Sequence, residues 1–209
     1  MAQVARSLPK DVPMHHLSTD YVFDGTCQDQ PYKEEDQPHP LAVYADSKWR
    51  GEEAVLQIST LNSVLRVIMP YRPLYAKKSD LARLSVEKLQ KGERLQAVVD
   101  QSINPIFVDD VVWAIWAILQ KRAQGIYHLG AVDYTTPYDF INKIVRLFSL
   151  DEGLVIPTSF EEFSQTRLAK RPQHSWLDTQ KFREEFGGEI LHTVDEGLSL
   201  FKNQIGGAV

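Results

Sequence analysis

The chain has 209 residues, 43% hydrophobic, 10% aromatic and 24% charged, the mixture of an ordinary folded protein of one domain or two small ones. That mixture excludes a disordered chain and a collagen-like repeat. The 23 basic and 28 acidic residues leave a net charge of −5, which argues against a protein held on nucleic-acid phosphates.

A chain of this length buries about 70% of the surface its unfolded form exposes, so a core can form without a disulfide or structural metal. The single Cys27 cannot close an internal bridge. A reducing, cytoplasmic setting is the expectation, because nothing from Met1 to Lys10 resembles a signal peptide and no apolar run reaches membrane-spanning length.

In chain order, Ala2 to Leu8 reads as the tail of a helix and Val12 to Ser18 as a short strand. Asp20 to Ala42 holds Gly25, Pro31, Pro38 and Pro40 with the acidic run Glu34-Glu35-Asp36, which predicts a long irregular loop carrying a solvated acidic face. Loops beyond about 15 residues are usually functional or disordered. Tyr44 to Ser59 is a predicted helix: Ala54, Val55 and Ile58 recur at helical spacing, and Lys48, Arg50, Glu52 and Glu53 supply a wet face. Ser63 to Met69 is a β-branched run fit for a buried strand, closed by Pro70 and Pro73.

A helix from about Ser79 to Lys91 stops at Gly92, followed by a strand from Leu95 to Val99. Asp109 is placed to cap a helix running to about Arg122, with Val112, Trp113, Trp116, Ala117 and Leu119 as an apolar stripe whose tryptophans are expected in the core. Gly125 to Leu129 is a further strand. Thr136-Pro137 opens a helix through Phe148, with a capping hydroxyl and a proline at the first helical position. Two more helices are expected near Asp178 to Phe186 and Val194 to Asn203, the second opened by the capping-box spacing Thr193 to Glu196. Strands alternating with helices predict an α/β fold with a largely parallel sheet.

Tyr44 and Lys48 lie four apart at the start of a helix, so their side chains project from one face. Such a pair can deliver a proton to a carbonyl, because an ammonium beside a phenol favours the phenolate and brings a poor acid toward the working range. With eight tyrosines and 12 lysines in the chain, about half an occurrence of this spacing arises by chance, so the pair alone is equally well two exposed residues of a first turn. The pair Ser18-Thr19 adds context: it closes a candidate parallel strand, where open α/β sheets place their ligands. The Thr19 hydroxyl either orients the same carbonyl or caps the following turn. Arg167, Lys170 and Arg171 are either surface charges or partners for a diphosphate. The six histidines are scattered, which predicts no metal site.

The stretches LSTDYVFDG (Leu17 to Gly25) and PYKEEDQPHPLAVYADSKWRGE (Pro31 to Glu52) resemble the extended short-chain dehydrogenase/reductases, specifically the dTDP-4-dehydrorhamnose reductase branch. VLRV (Val64 to Val67), LQAVVDQSINPIFVDDVVWAI (Leu95 to Ile115) and KRPQHSWLDTQKF (Lys170 to Phe182) are similar to later parts of the same branch, in order along nearly the whole chain. The resemblance implies reduction of a nucleotide-linked 4-keto sugar with NADP or NAD as cofactor. It implies Thr19 as the hydroxyl that orients the carbonyl, Tyr44 as the general acid, and Lys48 as the residue that tunes Tyr44 and holds the nicotinamide ribose. Ser18 would lie beside the nicotinamide, Met69 beside the sugar, and Arg171 near the diphosphate.

The implied fold is the C-terminal part of a doubly wound, Rossmann-type parallel sheet plus a smaller mixed lobe. Residues 1–68 and 103–135 would form the partial Rossmann domain, and 69–102 and 136–209 the substrate-binding lobe. The sequence departs from the branch's pattern at Met69, where a Trp is usual, and at Arg72, where a Gly is usual. No glycine-rich phosphate-binding turn occurs in the 209 residues. The first strand present is the fifth of the implied sheet, so on the order of 90 residues of βαβ units would precede it. Its free side would be an unsatisfied edge, open to a complementing chain or a second copy. The resemblance also reaches the regulatory β subunit of methionine adenosyltransferase, so a non-catalytic binding subunit and an inactive fragment stand as alternatives.

Overall fold

The computed structural model describes residues 2–9, 11–73, 79–165 and 167–206. Residues 74–78, inside the lobe expected at 69–102, and residues 207–209, at the end of the stretch expected at 136–209, lie outside the described residues.

After a short helix α1 (Ala2–Ser7), the main sheet is built from β1 (His15–Thr19), β2 (Ser63–Val67) and β4 (Gly125–Leu129), all parallel, in the order β1-β2-β4. Leu17 pairs with Leu65, and Leu65 with Tyr127, so three carboxyl ends finish side by side. The helix α2 (Val43–Ile58) connects β1 to β2 and packs on both. Alternation in β2 sends neighbouring side chains to opposite faces: Arg66 meets Glu52 of α2, while Leu65 joins Val111, Ala114 and Ile118 of α4 (Val108–Lys121), Tyr127, and Phe182 of α7 (Gln180–Phe186). The sheet is therefore covered on both sides, as an all-parallel sheet requires. This is the expected α/β architecture.

A second, two-stranded parallel sheet joins β3 (Leu95–Val98) to β5 (Val155–Thr158). Against it and beside it pack α3 (Leu81–Gln90), α5 (Pro137–Phe148) and α8 (Val194–Gly206), around Tyr71, Phe107, Phe140 and Phe201. Thr136 caps α5 through Asp139 N, and Thr193 and Glu196 complete a capping box at α8, both as the sequence predicts. Among the described residues, one strand and one α-helix escape the sequence reading, β5 and the short α6 (Phe160–Gln165). Pro157 inside β5 disguises it as a turn.

Four expectations are corrected. Asp109 does not cap α4: Phe107 occupies that position without a side-chain bond. Trp113 and Trp116 are not core residues. They are 61% and 55% exposed, because Val111, Ala114 and Ile118 on the other side of α4 face the sheet. Glu52 is not on a wet face but 2% exposed, drawn inward by Arg66. Glu34 is not fully solvated either: its carboxylate accepts from the backbone N–H of His128 at 3.0 Å, which docks the acidic loop on β4.

The long segment between β1 and α2 is ordered by partners distant in sequence. A 3-10 turn (Asp20–Val22) opens it, Phe23 stacks on Tyr32 at 4.1 Å, and Tyr32 forms a bridge with Leu177. Gly25 sits at φ 78°, and a Cβ there would lie 2.5 Å from Gln173 N and 2.6 Å from Pro172. Only glycine allows this approach of two backbones. Gly25→Ala should therefore cost about 1–3 kcal/mol and displace the 171–175 segment. Chemical denaturation, with backbone amide shifts of residues 171–175, checks both; unchanged stability and shifts would refute the clash.

Candidate active site

A cleft of about 620 Å³ opens at the carboxyl ends of β1 and β2, between the first turns of α2 and α4. Ser18, Thr19, Tyr44, Lys48, Met69 and Arg171, the six residues to which the resemblance gives site roles, all line it, whereas Arg167 and Lys170 are not among its lining residues. They come from four separate stretches of the chain, which only the tertiary fold brings together. The position agrees with the rule that open parallel sheets bind ligands at carboxyl ends of strands.

The helical spacing brings Tyr44 and Lys48 to one side of α2, and Lys48 Nζ donates to the Leu17 carbonyl of β1 at 3.0 Å. One of the three ammonium hydrogens is thus spent on fixing the side chain across the edge strand, leaving two donors. Tyr44 is 55% exposed at the mouth.

Thr19 ends β1 and is nearly buried. Its hydroxyl accepts from Tyr21 N at 3.3 Å as the cap of the 3-10 turn and lies 3.0 Å from Asp20 Oδ1. Thr19 therefore caps the turn, as one of its two readings has it, and also lines the cleft. Ser18 Oγ donates to Glu52 Oε1, and Glu52 is held by Arg66, with Nη2 2.8 Å and Nε 3.2 Å from the carboxylate. Arg66 also lies 5.0 Å over the Phe23 ring. Its Nη1 donates to the Glu34 carbonyl at 3.4 Å and to His128 Nε2 at 3.3 Å. Burial and the neighbouring guanidinium hold His128 well below its usual range, so it is neutral; its Nδ1 bonds the Tyr32 carbonyl, which assigns the hydrogen there.

Sequence inspection missed Asp20, Tyr21, Glu52 and Arg66. A signal existed for Arg66, since a lone charge in the apolar strand SVLRV demands a buried partner. Asp20 and Tyr21 line the cleft beside Thr19. Burial pushes the Asp20 carboxyl up to about 7, although hydroxyls and backbone N–H groups around it act in the other direction. The Tyr21 phenol is also raised by burial and by Asp20, against Arg171 and Arg167. Met69 follows β2 at φ 39°, a left-handed conformation uncommon outside glycine, and it lines the cleft together with Pro70.

The family model described as the RmlD substrate binding domain matches residues 1–203. The chain belongs to that family. It is 30% identical over 181 residues to a probable low-salt glycan biosynthesis reductase of Haloferax volcanii, covering 85% of this chain and 59% of the relative. It is also 30% identical over 197 residues to the methionine adenosyltransferase 2 subunit beta of Danio rerio, covering 91% of this chain and 57% of that one. A solved dTDP-4-dehydrorhamnose reductase of Bacillus anthracis, in complex with NADP, superposes with a TM-score of 0.82 at 26% identity, covering 92% of this chain and 66% of that one. The chain thus spans under two thirds of the length of these two curated relatives. None of the described helices is long and apolar enough to cross a membrane.

Proposed function

We propose that this RmlD-family chain carries the acid–base and sugar-binding half of an NADP- or NAD-dependent reduction of a nucleotide-linked 4-keto sugar. The supporting observation is the convergence of Thr19, Tyr44 and Lys48 with Ser18, Met69 and Arg171 on one cleft. In this reading Thr19 holds the keto oxygen and Tyr44 delivers a proton to it. Lys48, with two donors left after Leu17, serves the ribose and the returning proton. Arg171 at the cleft rim meets the substrate's diphosphate, and Met69 packs on the sugar.

The cofactor supplies the hydride when bound. The cleft fits its nicotinamide end, where Ser18, Tyr44 and Lys48 gather, but the 209 residues hold no glycine-rich turn for its pyrophosphate. A cofactor-binding half is proposed to cover the open edge of β1 and the exposed Trp113 and Trp116 of α4, in a cytoplasmic setting. Residues 1–68 and 103–135 then belong with that half, and 69–102 and 136–209 form the substrate lobe.

Calorimetric titration tests the division of labour. The chain by itself should bind a dTDP-sugar while showing no micromolar affinity for NADPH. Micromolar NADPH binding by these 209 residues would overturn the need for a separate pyrophosphate cradle. The likeness to the β subunit supports a second reading, a binding subunit with an idle cleft. Absence of any turnover of a dTDP-4-keto sugar, once a glycine-rich half is supplied, would favour it.

A further inference from the structure

Asp20 follows β1 directly and is 2% exposed, yet it lines the cleft between Thr19 and Tyr21. Its Oδ1 lies 3.0 Å from Thr19 Oγ1, the Ser175 hydroxyl faces the same carboxyl, and Oδ2 is buried without a hydrogen bond of good geometry. A buried carboxyl tied to a hydroxyl can take either role in that bond, as donor when protonated and as acceptor when ionised.

We propose that Asp20 is a positioning residue that sets the direction of the Thr19 hydroxyl hydrogen, and thereby whether the cleft accepts a ketone or an alcohol. The proposal rests on the sugar-reductase reading of the cleft. With its proton in place, Asp20 donates to Thr19 Oγ1, which also accepts from Tyr21 N. Both Thr19 lone pairs are then used, and its hydrogen is left for a carbonyl oxygen, a group that can only accept. When Asp20 gives its proton to solvent, Thr19 must donate to Oδ1 instead. What it then presents to the cleft is a lone pair, which repels a carbonyl and accepts from a hydroxyl.

The carboxyl is pushed up to about 7 by burial, so the exchange falls in the physiological range. Among the described residues, the other ionisable groups facing this corner are Tyr21 of the 3-10 turn, Tyr44 and Lys48 of α2, and Arg167 and Arg171 ahead of Ser175. His174 is turned toward Ser102. Asn at position 20 leaves all of these in place, so a pH effect that vanishes with it belongs to Asp20.

The test compares calorimetric affinities for a dTDP-4-keto sugar and its 4-hydroxy counterpart at pH 6 and pH 8. In the wild type the keto-to-hydroxy affinity ratio should fall about three- to tenfold with rising pH, the worth of one hydrogen bond. In Asp20→Asn, whose Nδ2 donates to Thr19 at either pH, the ratio should stay at its pH 6 value. A ratio independent of pH in the wild type, or one that falls equally in the variant, overturns the proposal. If neither sugar nucleotide binds at either pH, the reductase reading fails on its own. Carboxyl ¹³C titration of Asp20 in the wild type and in Thr19→Val then decides the coupling, and does so also if Asp20→Asn does not fold. Loss of the Thr19 bond, which favours the ionised form, should raise the midpoint; identical midpoints overturn the proposal.

Discussion

Glu52→Ala should destabilise the protein by about 3–5 kcal/mol, read from urea unfolding at constant pH. Glu52 and Arg66 are each 2% exposed, and their pair at 2.8 Å is the only ion pair among the described residues with both partners this deeply buried. Removing the carboxylate leaves a guanidinium inside the sheet–helix interface with a backbone carbonyl, a neutral imidazole and an aromatic face as its remaining company. None of these carries a compensating charge. Ser18 Oγ loses its acceptor at the same time.

The cost comes from the stranded charge, not from the net worth of the pair. Replacing both partners together, as Glu52→Leu with Arg66→Met, should therefore recover much of the loss. A loss below about 1 kcal/mol for Glu52→Ala, the size seen for exposed pairs, would show that water reaches Arg66 and would sink the account. Because Glu52 lies one turn beyond Lys48 on α2, the pair also fixes the helix that presents Tyr44 and Lys48.

Tyr44→Phe should lower reduction of a dTDP-4-keto sugar by about 10²–10⁴-fold, measured as cofactor oxidation with a glycine-rich half supplied. The substitution removes one oxygen at an exposed position, so thermal stability should change by less than about 0.5 kcal/mol. A proton donor acts on the transition state more than on the bound substrate, so the loss should fall on kcat, with affinity for the sugar nearly unchanged. Wild-type turnover in the variant would remove Tyr44 as the acid. A loss of stability as large as the loss of activity would instead assign it a structural role.

Much of the fold was legible because periodicity is local. The apolar run at Ser63 to Val67, the helical spacing in α2 and α5, and the capping residues Thr136 and Thr193 each act within a turn or two of the chain. The misreadings share a cause. Glu52 has charged neighbours in sequence, and only the arrival of Arg66 from β2 makes its burial favourable. Val112, Trp113 and Trp116 form as good a stripe as Val111, Ala114 and Ile118, and periodicity does not say which stripe receives a cover. Asp20 gave no signal at all, since one of the hydroxyls that meets its buried carboxyl, Ser175, lies over a hundred residues away.

The candidate site divides the same way. Sequence determined that Tyr44 and Lys48 share a helix face and that a hydroxyl pair ends a strand, because both statements need only backbone geometry over a few residues. Tertiary structure decided that these meet Met69 and Arg171 at one cleft, that Glu52 turns inward to Arg66, and that Thr19 is coupled to a buried carboxyl. The physical reason is that burial and electrostatic environment are properties of what surrounds a side chain, and those surroundings come from stretches of chain that only packing brings together.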